Sequence, residues 1–341
     1  MKRGLVLEGG GMRGMFTAGV MDVMMEQGIE YDGAVGVSAG AVFGCNYKSR
    51  QIGRAIRYNL RFCKDPRYCS VRSLIKTGDL FGTDFCYRQI PNELDPFDVE
   101  TYRKNPMEFY VVTTDVLTGQ ALYHLCPNGD ENDLTWFRAS ASMPLASNIV
   151  EAEGRWMLDG GIVDSIPLKF AEGKYHRNVV VLTQPIDYIK KKNKAMPLAA
   201  NVVEADGRWM LDGGIVDSIP LKFAEGKYHR NVVVLTQPID YIKKKNKALP
   251  LIRNRMKGYP KVVAAMARRH EDYNREAAYI RYRERAGKVF VLRPEAPLDL
   301  SRTEHDPAKL LNAYDHGRAV AEKRLAALKE FLYAGGNPNE E

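Results

Sequence analysis

The N-terminal region contains two apolar runs, and each run ends at a turn of small residues that leads into a helical pattern. The first run, Leu5–Leu7, lies in a predicted strand over residues 3–8 that stops at Gly9–Gly11, and the second run covers residues 33–37 and stops at Ser38. Apolar side chains then recur at helical spacing over residues 14–27. Because a helix between two strands carries the chain back across the sheet, such strands pair in parallel. The order therefore predicts an α/β fold, with a mainly parallel sheet and helices on both of its faces.

The rest of the chain extends this pattern. Apolar segments typical of buried parallel strands recur, and a basic, tyrosine-rich helix precedes the last of them. Asp306 and Pro307 form the cap and first-turn pair that opens a helix. Further strands are predicted over residues 108–116, 179–185, 232–238 and 288–294. Three further helices are predicted: one begins at Ala39, one covers residues 259–286 and one runs from Pro307 to about Leu332.

A unit of 53 residues occurs twice, as residues 143–195 and again as residues 196–248. The copies differ only at Ser147/Ala200, Ile149/Val202 and Glu153/Asp206. Repeat folds usually need three or more units, so two nearly identical copies indicate a recent tandem duplication. The first copy follows the small-residue segment RASAS, which permits close packing, whereas the second follows the basic stretch KKKNK, which suits a surface loop that tolerates insertion. We therefore predict that the first copy occupies the fold and that the second is an insertion.

Charge and cysteine content indicate where the protein acts. Its five cysteines form no CxxC pair and are odd in number, which favours reduced thiols in a cytoplasmic protein. The formal net charge is +8, and the basic stretches at residues 190–194, 243–247 and 259–286 suit either a solvated surface, which is favoured, or peripheral contact with an anionic membrane. No run of about 18 apolar residues predicts a membrane span. Neither a metal-ligand cluster nor a nucleic-acid-binding module is recognisable in the sequence.

Ser38 is a candidate nucleophile. It lies in a G-x-S-x-G sequence, Gly36 to Gly40, between a predicted strand and a predicted helix. In that context the turn is so sharp that only small residues fit beside the serine, whose hydroxyl group is held at the start of the helix. The alternative is a small-residue turn that packs the helix against the strand.

The glycine loop after the first strand is a candidate anion site. Without side chains, the N–H groups of Gly10, Gly11 and Met12 can converge on one negative charge, and the following helix adds its positive N-terminal end. Gly9, Gly11 and Gly14 also satisfy the G-x-G-x-x-G pattern of dinucleotide-binding proteins. That pattern requires an acidic residue at the end of the second strand, whereas Asp32 precedes the strand, so an oxyanion hole is the favoured interpretation.

A serine nucleophile also needs a base. None of the six histidines lies in a glycine turn or at a strand end. The alternative is the aspartate of the sequence LDGG, which is Asp159 in the first copy and Asp212 in the second. A carboxylate can accept the serine proton as attack proceeds if it lies within hydrogen-bond reach in a pocket with little water.

The ordered motifs resemble the patatin-like phospholipases. They are EGGGMRG (8–14), GVSAG (36–40) and DGG (159–161), supported by TTDVLTG (113–119) and RASASMP (138–144). The resemblance covers residues 4–185 and implies a three-layer α/β/α sandwich. It also implies a serine–aspartate dyad that hydrolyses acyl esters of lipids, such as phospholipid or lysophospholipid, without a cofactor or metal ion.

Carried onto this sequence, the resemblance implies that Ser38 is the nucleophile and that the LDGG aspartate is the base. The context of the first copy favours Asp159 over Asp212. The backbone at Gly10, Gly11 and Met12, with Arg13 beside it, is implied to hold the oxyanion. The supporting glycines of the motifs are Gly9, Gly14, Gly36, Gly40, Gly160 and Gly161.

The domain prediction follows from the motifs and the duplication. It consists of a catalytic domain over residues 1–195, an inserted duplicate over 196–248, a C-terminal helix–strand–helix region over 249–334 and a disordered tail over 335–341. Two other functions stay open at this point. One is a dinucleotide- or phosphate-binding protein, and the other is a lipid-binding protein whose catalytic site is inactive.

Overall fold

The computed structural model describes residues 2–182, 202–205, 208–211 and 248–333. The strands are β1 (Arg3–Leu7), β2 (Gly33–Val37), β3 (Glu108–Asp115), β4 (Ala121–Leu125), β5 (Val150–Ala152), β6 (Arg155–Asp159), β7 (Arg177–Val181), β8 (Val202–Ala205), β9 (Arg208–Leu211) and β10 (Phe290–Leu292). The α-helices are α1 (Gly14–Glu26), α2 (Ala39–Lys48), α3 (Arg54–Phe62), α4 (Val71–Thr77), α5 (Val99–Lys104), α6 (Glu131–Ser140), α7 (Leu168–Glu172), α8 (Leu249–Arg255), α9 (Pro260–Arg285) and α10 (Pro307–Tyr333), and a π-helix spans Phe85–Leu94.

The central sheet has eight strands in the order β10-β7-β1-β2-β3-β6-β5, with β4 paired to β3 outside this path. Strands β10, β7, β1, β2 and β3 are parallel, whereas β4 and β6 run antiparallel to β3. The predicted α/β fold with a mainly parallel sheet is confirmed.

The register of the sheet brings two strand ends together. Val37, the last residue of β2, pairs with Val112 of β3, and Asp159, the last residue of β6, pairs with the next residue, Thr113. Because β2 and β6 approach β3 from opposite directions, their carboxyl ends meet there. The residue that follows β2, Ser38, therefore lies beside Asp159.

The C-terminal part of the chain packs on this sheet. Strand β10 pairs in parallel with β7, and helix α10 lies along α1. A side chain at Gly19 of α1 or at Gly317 of α10 would come within 2.1 Å of a backbone carbonyl oxygen of the other helix. The two glycines therefore permit a close approach of the helices, which ties α10 to the first βα unit.

Most elements agree with the sequence predictions, including the strands at β1, β2, β3, β7 and β10 and the long helices α9 and α10. The antiparallel strands β4, β5 and β6 and the short helices α3 to α5 were not predicted, because they have no long apolar run. The predicted strand at 232–238, the KKKNK stretches at 190–194 and 243–247, and the tail at 335–341 lie outside the described residues. Within the described part of the chain, every helix is too short or too polar to span a bilayer.

Candidate active site

Ser38 lies in a strained turn between β2 and α2. Its backbone has φ 53° and ψ −121°, in the region that glycine normally occupies. A side chain at Gly40 would come within 2.3 Å of the Leu7 carbonyl oxygen, and one at Gly36 would come within 2.5 Å of the Gly40 carbonyl oxygen. The flanking glycines are therefore required by close packing, and the geometry is that of a nucleophile elbow.

The side chains of Ser38 and Asp159 are hydrogen-bonded to each other. The Ser38 hydroxyl group donates to Asp159 Oδ2 at 2.8 Å. The other carboxylate oxygen, Oδ1, accepts the Gly161 N–H at 2.7 Å, so the LDGG turn fixes the orientation of the carboxylate. The alternative base, Asp212, lies outside the described residues.

Buried hydroxyl groups hold the backbones of both residues. The Ser140 hydroxyl accepts the Ser38 N–H at 2.8 Å and donates to the Val112 carbonyl at 2.7 Å. The Thr114 hydroxyl donates to the Asp159 carbonyl at 2.8 Å, and the Ser142 carbonyl accepts the Asp159 N–H at 2.9 Å. Ser140 and Ser142 belong to the RASASMP segment, which the sequence reading valued only as supporting context.

The glycine loop lies against the nucleophile. A side chain at Gly9 would come within 2.8 Å of Ser38 Cβ, and Gly11 has φ +59°. Gly10 and Gly11 line the same cavity as Ser38 and lie at the start of the short helix that leads into α1.

The structure differs from the prediction at Met12. The Met12 N–H donates to the Arg302 carbonyl oxygen at 3.1 Å, so this donor is already engaged and is not directed at an oxyanion. Sequence reasoning could not foresee the contact, because Arg302 is almost three hundred residues away in the chain. Arg13 lines the same cavity as Ser38.

The Asp159 carboxylate is buried, and burial raises its pKa above the ordinary value of 3.8. The positive charge of Arg269, the Ser38 hydroxyl group, the Gly161 N–H and the charge of Arg302 act in the opposite direction. A raised pKa makes the carboxylate a stronger base, whereas the cations and donors favour its ionised form.

Two C-terminal arginines reach this site. Arg269 of α9 donates from Nε to the Gly161 carbonyl oxygen, and Arg302 contacts the glycine loop through its own carbonyl. Tyr273, one turn after Arg269, donates to Glu8, which precedes the loop. No sequence motif marks these residues, and only the folded chain brings them to the site.

Ser38 and Asp159 line a cavity of about 370 Å³. The wall is largely apolar, and a pocket of this character suits an extended hydrocarbon chain. Its apolar lining includes Val42, Phe81, Tyr87, Ile90, Phe97 and Phe137.

Two other candidate sites, one for a dinucleotide and one for a metal ion, have weaker support. Asp32, the acidic residue nearest the second strand, accepts the Arg3 N–H at 2.6 Å and precedes β2, so it is not at the strand end that a dinucleotide site requires.

His124, Cys126 and Asp133 have potential ligand atoms within 4.8 Å of one another. However, the His124 ring stacks on Trp136, and Asp133 accepts two loop N–H groups. These contacts are sufficient to explain the cluster without a metal ion.

The region that contains Ser38 and Asp159 matches a known protein family. Residues 5–172 match the family model described as Patatin-like phospholipase. The N-terminal half of the chain belongs to the patatin-like phospholipase family. The patatin-like region supplies Ser38, Asp159 and the glycine loop. Residues 259–333 match a separate domain of unknown function, DUF6363, and this region supplies Arg269 and Arg302.

Each of the following similar proteins matches about half of this chain. An uncharacterized protein of Escherichia coli, YjjU, is 32% identical over 187 residues, which are 52% of this chain and 50% of YjjU. Lysophospholipase nte1 of Aspergillus niger is 32% identical over 183 residues, and that of Aspergillus oryzae is 29% identical over 177 residues; each match covers 50% of this chain and 11% of the relative. This chain thus spans half of YjjU and about a tenth of the lysophospholipases. The solved structure of VipD from Legionella pneumophila aligns over 98% of this chain and 77% of that chain, with a TM-score of 0.33 and 14% identity, a likeness too low to carry an argument.

Proposed function

We propose that this protein is a serine lipid acyl hydrolase that cleaves phospholipid, lysophospholipid or related acyl esters. The observation that carries the proposal is the 2.8 Å hydrogen bond from the Ser38 hydroxyl to Asp159, in the wall of an apolar cavity. In this proposal Ser38 is the nucleophile and Asp159 is the base.

The first half of the reaction forms an acyl-enzyme. Ser38 Oγ attacks the ester carbonyl carbon while its proton passes to Asp159 Oδ2, to which it is already hydrogen-bonded. The N–H groups of Gly10 and Gly11 stabilise the negative charge that develops on the carbonyl oxygen. The bond to the alcohol oxygen then breaks, and Asp159 returns the proton to the leaving alcohol.

The second half releases the fatty acid. A water molecule gives a proton to Asp159 and attacks the acyl carbon from the position that the alcohol has left. The acyl–oxygen bond to Ser38 breaks, and the proton returns to Ser38 Oγ. The hydrogen bond from the Ser38 N–H to Ser140 and those from Thr114 and Gly161 to Asp159 keep both groups in place through these steps, which lowers the reorganisation that each step requires.

The apolar cavity and the relatives support a lipid substrate. Residues such as Phe81 and Ile90 surround a volume that accommodates hydrocarbon rather than a polar chain. Two of the relatives are named lysophospholipases, which favours a phospholipid or lysophospholipid ester over a small soluble ester.

The proposal is tested by replacing the nucleophile. Ser38→Ala is expected to lower hydrolysis of a short-chain acyl ester by about 10⁴-fold or more, as in other serine hydrolases. A fluorophosphonate probe should label the wild-type protein on Ser38 and should not label the variant. An active Ser38→Ala protein would refute the proposal.

The same labelling experiment, combined with binding measurements, distinguishes a hydrolase from an inactive lipid-binding protein and from a nucleotide-binding protein. Vesicle binding without hydrolysis or labelling would indicate an inactive lipid-binding protein. Tight binding of a dinucleotide without labelling would indicate a nucleotide-binding protein.

We also propose peripheral contact with an anionic membrane through α4. Its side chains Val71 and Ile75 are 65% and 81% exposed, beside the exposed cations Arg72 and Lys76. The helix leads directly to Asp79 and Leu80 in the cavity wall, so a bilayer beneath α4 would lie beside the cavity. Sedimentation with anionic vesicles should exceed that with neutral vesicles and fall as salt rises and in Ile75→Glu. Equal sedimentation with both vesicle types would remove the proposal.

A further inference from the structure

Two arginines from the C-terminal region contact the two turns that border the cavity, the LDGG turn and the glycine loop. Arg269 is held on the LDGG turn by its hydrogen bond to the Gly161 carbonyl oxygen. Arg302 is held on the glycine loop, where its carbonyl oxygen accepts the Met12 N–H at 3.1 Å. Both arginines line the cavity that contains Ser38. The side chain of Arg269 and the backbone of Arg302 are thus held at the cavity.

Neither guanidinium group forms an ion pair with a carboxylate among the residues that the structure describes. Other arginines of the same region do have such partners: Arg283 pairs with the buried Glu172, and Arg275 pairs with Asp272. Arg269 donates one hydrogen bond through Nε to the Gly161 carbonyl oxygen and lines the cavity, and its guanidinium group has further N–H donors at the two terminal nitrogens.

Charges of both signs lie near Arg269. Burial and the neighbouring charge of Arg302 lower the pKa of Arg269, whereas Asp159, Glu276 and Tyr273 raise it. The Asp159 carboxylate is committed to Ser38 and Gly161. Two neighbouring cations in a partly buried wall are costly unless an anion joins them. A phosphate group satisfies both, because its oxygens accept the forked donors of arginine.

We propose that Arg269 and Arg302 bind the phosphate group of a phospholipid or lysophospholipid substrate. The enzyme then selects acyl esters that carry a phosphate over neutral glycerides with the same acyl chain. This inference rests on the proposed function and assigns a role to a region that matches only a domain of unknown function.

The test compares two substrates that differ only by the phosphate group, octanoyl lysophosphatidate and monooctanoylglycerol. The wild-type enzyme should have the higher kcat/KM for lysophosphatidate. In Arg302→Met the ratio of the two kcat/KM values should fall about tenfold or more, because hydrogen bonds to charged groups are strong. Arg302 is exposed, so its replacement leaves the packing of the fold in place. Arg285→Met, at an exposed position at the end of α9, is the matched control and should leave the ratio unchanged.

Arg269 provides a second variant pair. Arg269→Lys keeps the charge and should retain part of the preference, whereas Arg269→Met should lose it. An unchanged ratio in both Arg302→Met and Arg269→Met, or an equal loss of rate on both substrates, would overturn the proposal.

Binding to Ser38→Ala protein separates this inference from the proposed function, because it needs no hydrolysis. That protein should bind octanoyl lysophosphatidate more tightly than monooctanoylglycerol, and Arg302→Met should remove the difference. If Ser38→Ala stays active but the binding difference persists, the proposed function fails and the phosphate site stands. Inorganic phosphate is the second probe: if it alone competes at the arginines and the lipid phosphate adds no affinity, the site binds free phosphate and the lipid assignment is wrong.

Discussion

The two copies of the duplicated unit have nearly the same sequence and different surroundings. In the first copy, β5 and β6 form a hairpin in which Val150 pairs with Met157. In the second, β8 and β9 form the same hairpin in the same register, with Val203 opposite Met210. However, β6 also pairs with β3 of the central sheet, whereas β8 and β9 form a separate two-stranded sheet.

The difference indicates that local sequence determines the hairpin and that long-range partners determine which hairpin joins the central sheet. The position along β3 beside Thr113 and Thr114 is occupied by β6. The groups that hold Asp159 lie mostly outside the repeat, in Thr114, Ser38 and the C-terminal arginine Arg269. These partners occur once in the chain, so one copy at a time can use them.

The largest expected effect comes from the two LDGG aspartates. Asp159→Asn should lower hydrolysis by about 10⁴-fold, because an amide cannot accept the Ser38 proton. Asp212→Asn, the matched change in the second copy, should leave most of the activity. Steady-state kinetics on a short-chain ester measure both. The reverse pattern would show that the second copy occupies the sheet, and equal partial losses would show that the copies exchange.

A smaller effect is expected at Thr114, which distinguishes the two copies because its hydroxyl group is hydrogen-bonded to Asp159 of the first copy. Thr114→Val removes the hydrogen bond to the Asp159 carbonyl with little change in volume, a loss of about 1 kcal/mol. We expect kcat to fall several-fold to tenfold while KM changes little. Thr135→Val is the control, since its hydroxyl bonds within helix α6 at Glu131. Equal kinetics in both variants would contradict the positioning role of Thr114.

The pH dependence provides a third comparison. The base must be ionised, so activity falls as pH drops through the pKa of Asp159, which burial raises above 3.8. Arg269→Met removes the largest effect that lowers this pKa, and the acidic limb of the kcat/KM profile should therefore move to higher pH. Arg302, Ser38 and Gly161 still favour the ionised form in that variant. Asp212→Asn should leave the limb in place, and a shift in that variant would assign the base to the second copy.

The smallest effect is expected from deleting residues 196–248, which joins Ala195 to Leu249. The described contacts of the dyad involve residues outside this segment, so activity should stay within about twofold of the full chain. Expression and kinetics of the shortened protein test this. An inactive but folded deletion protein would show that the second copy contributes to the site.

The sequence predicted the parallel strands, and it marked Ser38 and the LDGG aspartate as candidates, because each of these depends on a local pattern. The run at β1, the serine turn after β2 and the LDGG sequence are each readable within a few residues. The antiparallel approach of β6 to β3 was not predictable, because no property of β6 indicates its partner. The Arg302 carbonyl at Met12 and the Arg269 contact at Gly161 likewise depend on a C-terminal region without a motif. The two LDGG segments are identical, so the prediction of Asp159 over Asp212 rests on the segments that precede them and stays a prediction.

Hydrogen exchange measured by mass spectrometry tests most directly whether the first copy occupies the sheet. Peptides covering residues 148–157 and 201–210 differ by two methylene groups, at Ile149/Val202 and Glu153/Asp206, so the copies can be followed separately in one protein. We expect slow exchange in the first peptide, whose hairpin is part of the eight-stranded sheet, and fast exchange in the second, because a two-stranded hairpin is marginally stable. Equal exchange in both peptides, or slower exchange in the second, would contradict the assignment of Asp159 as the base.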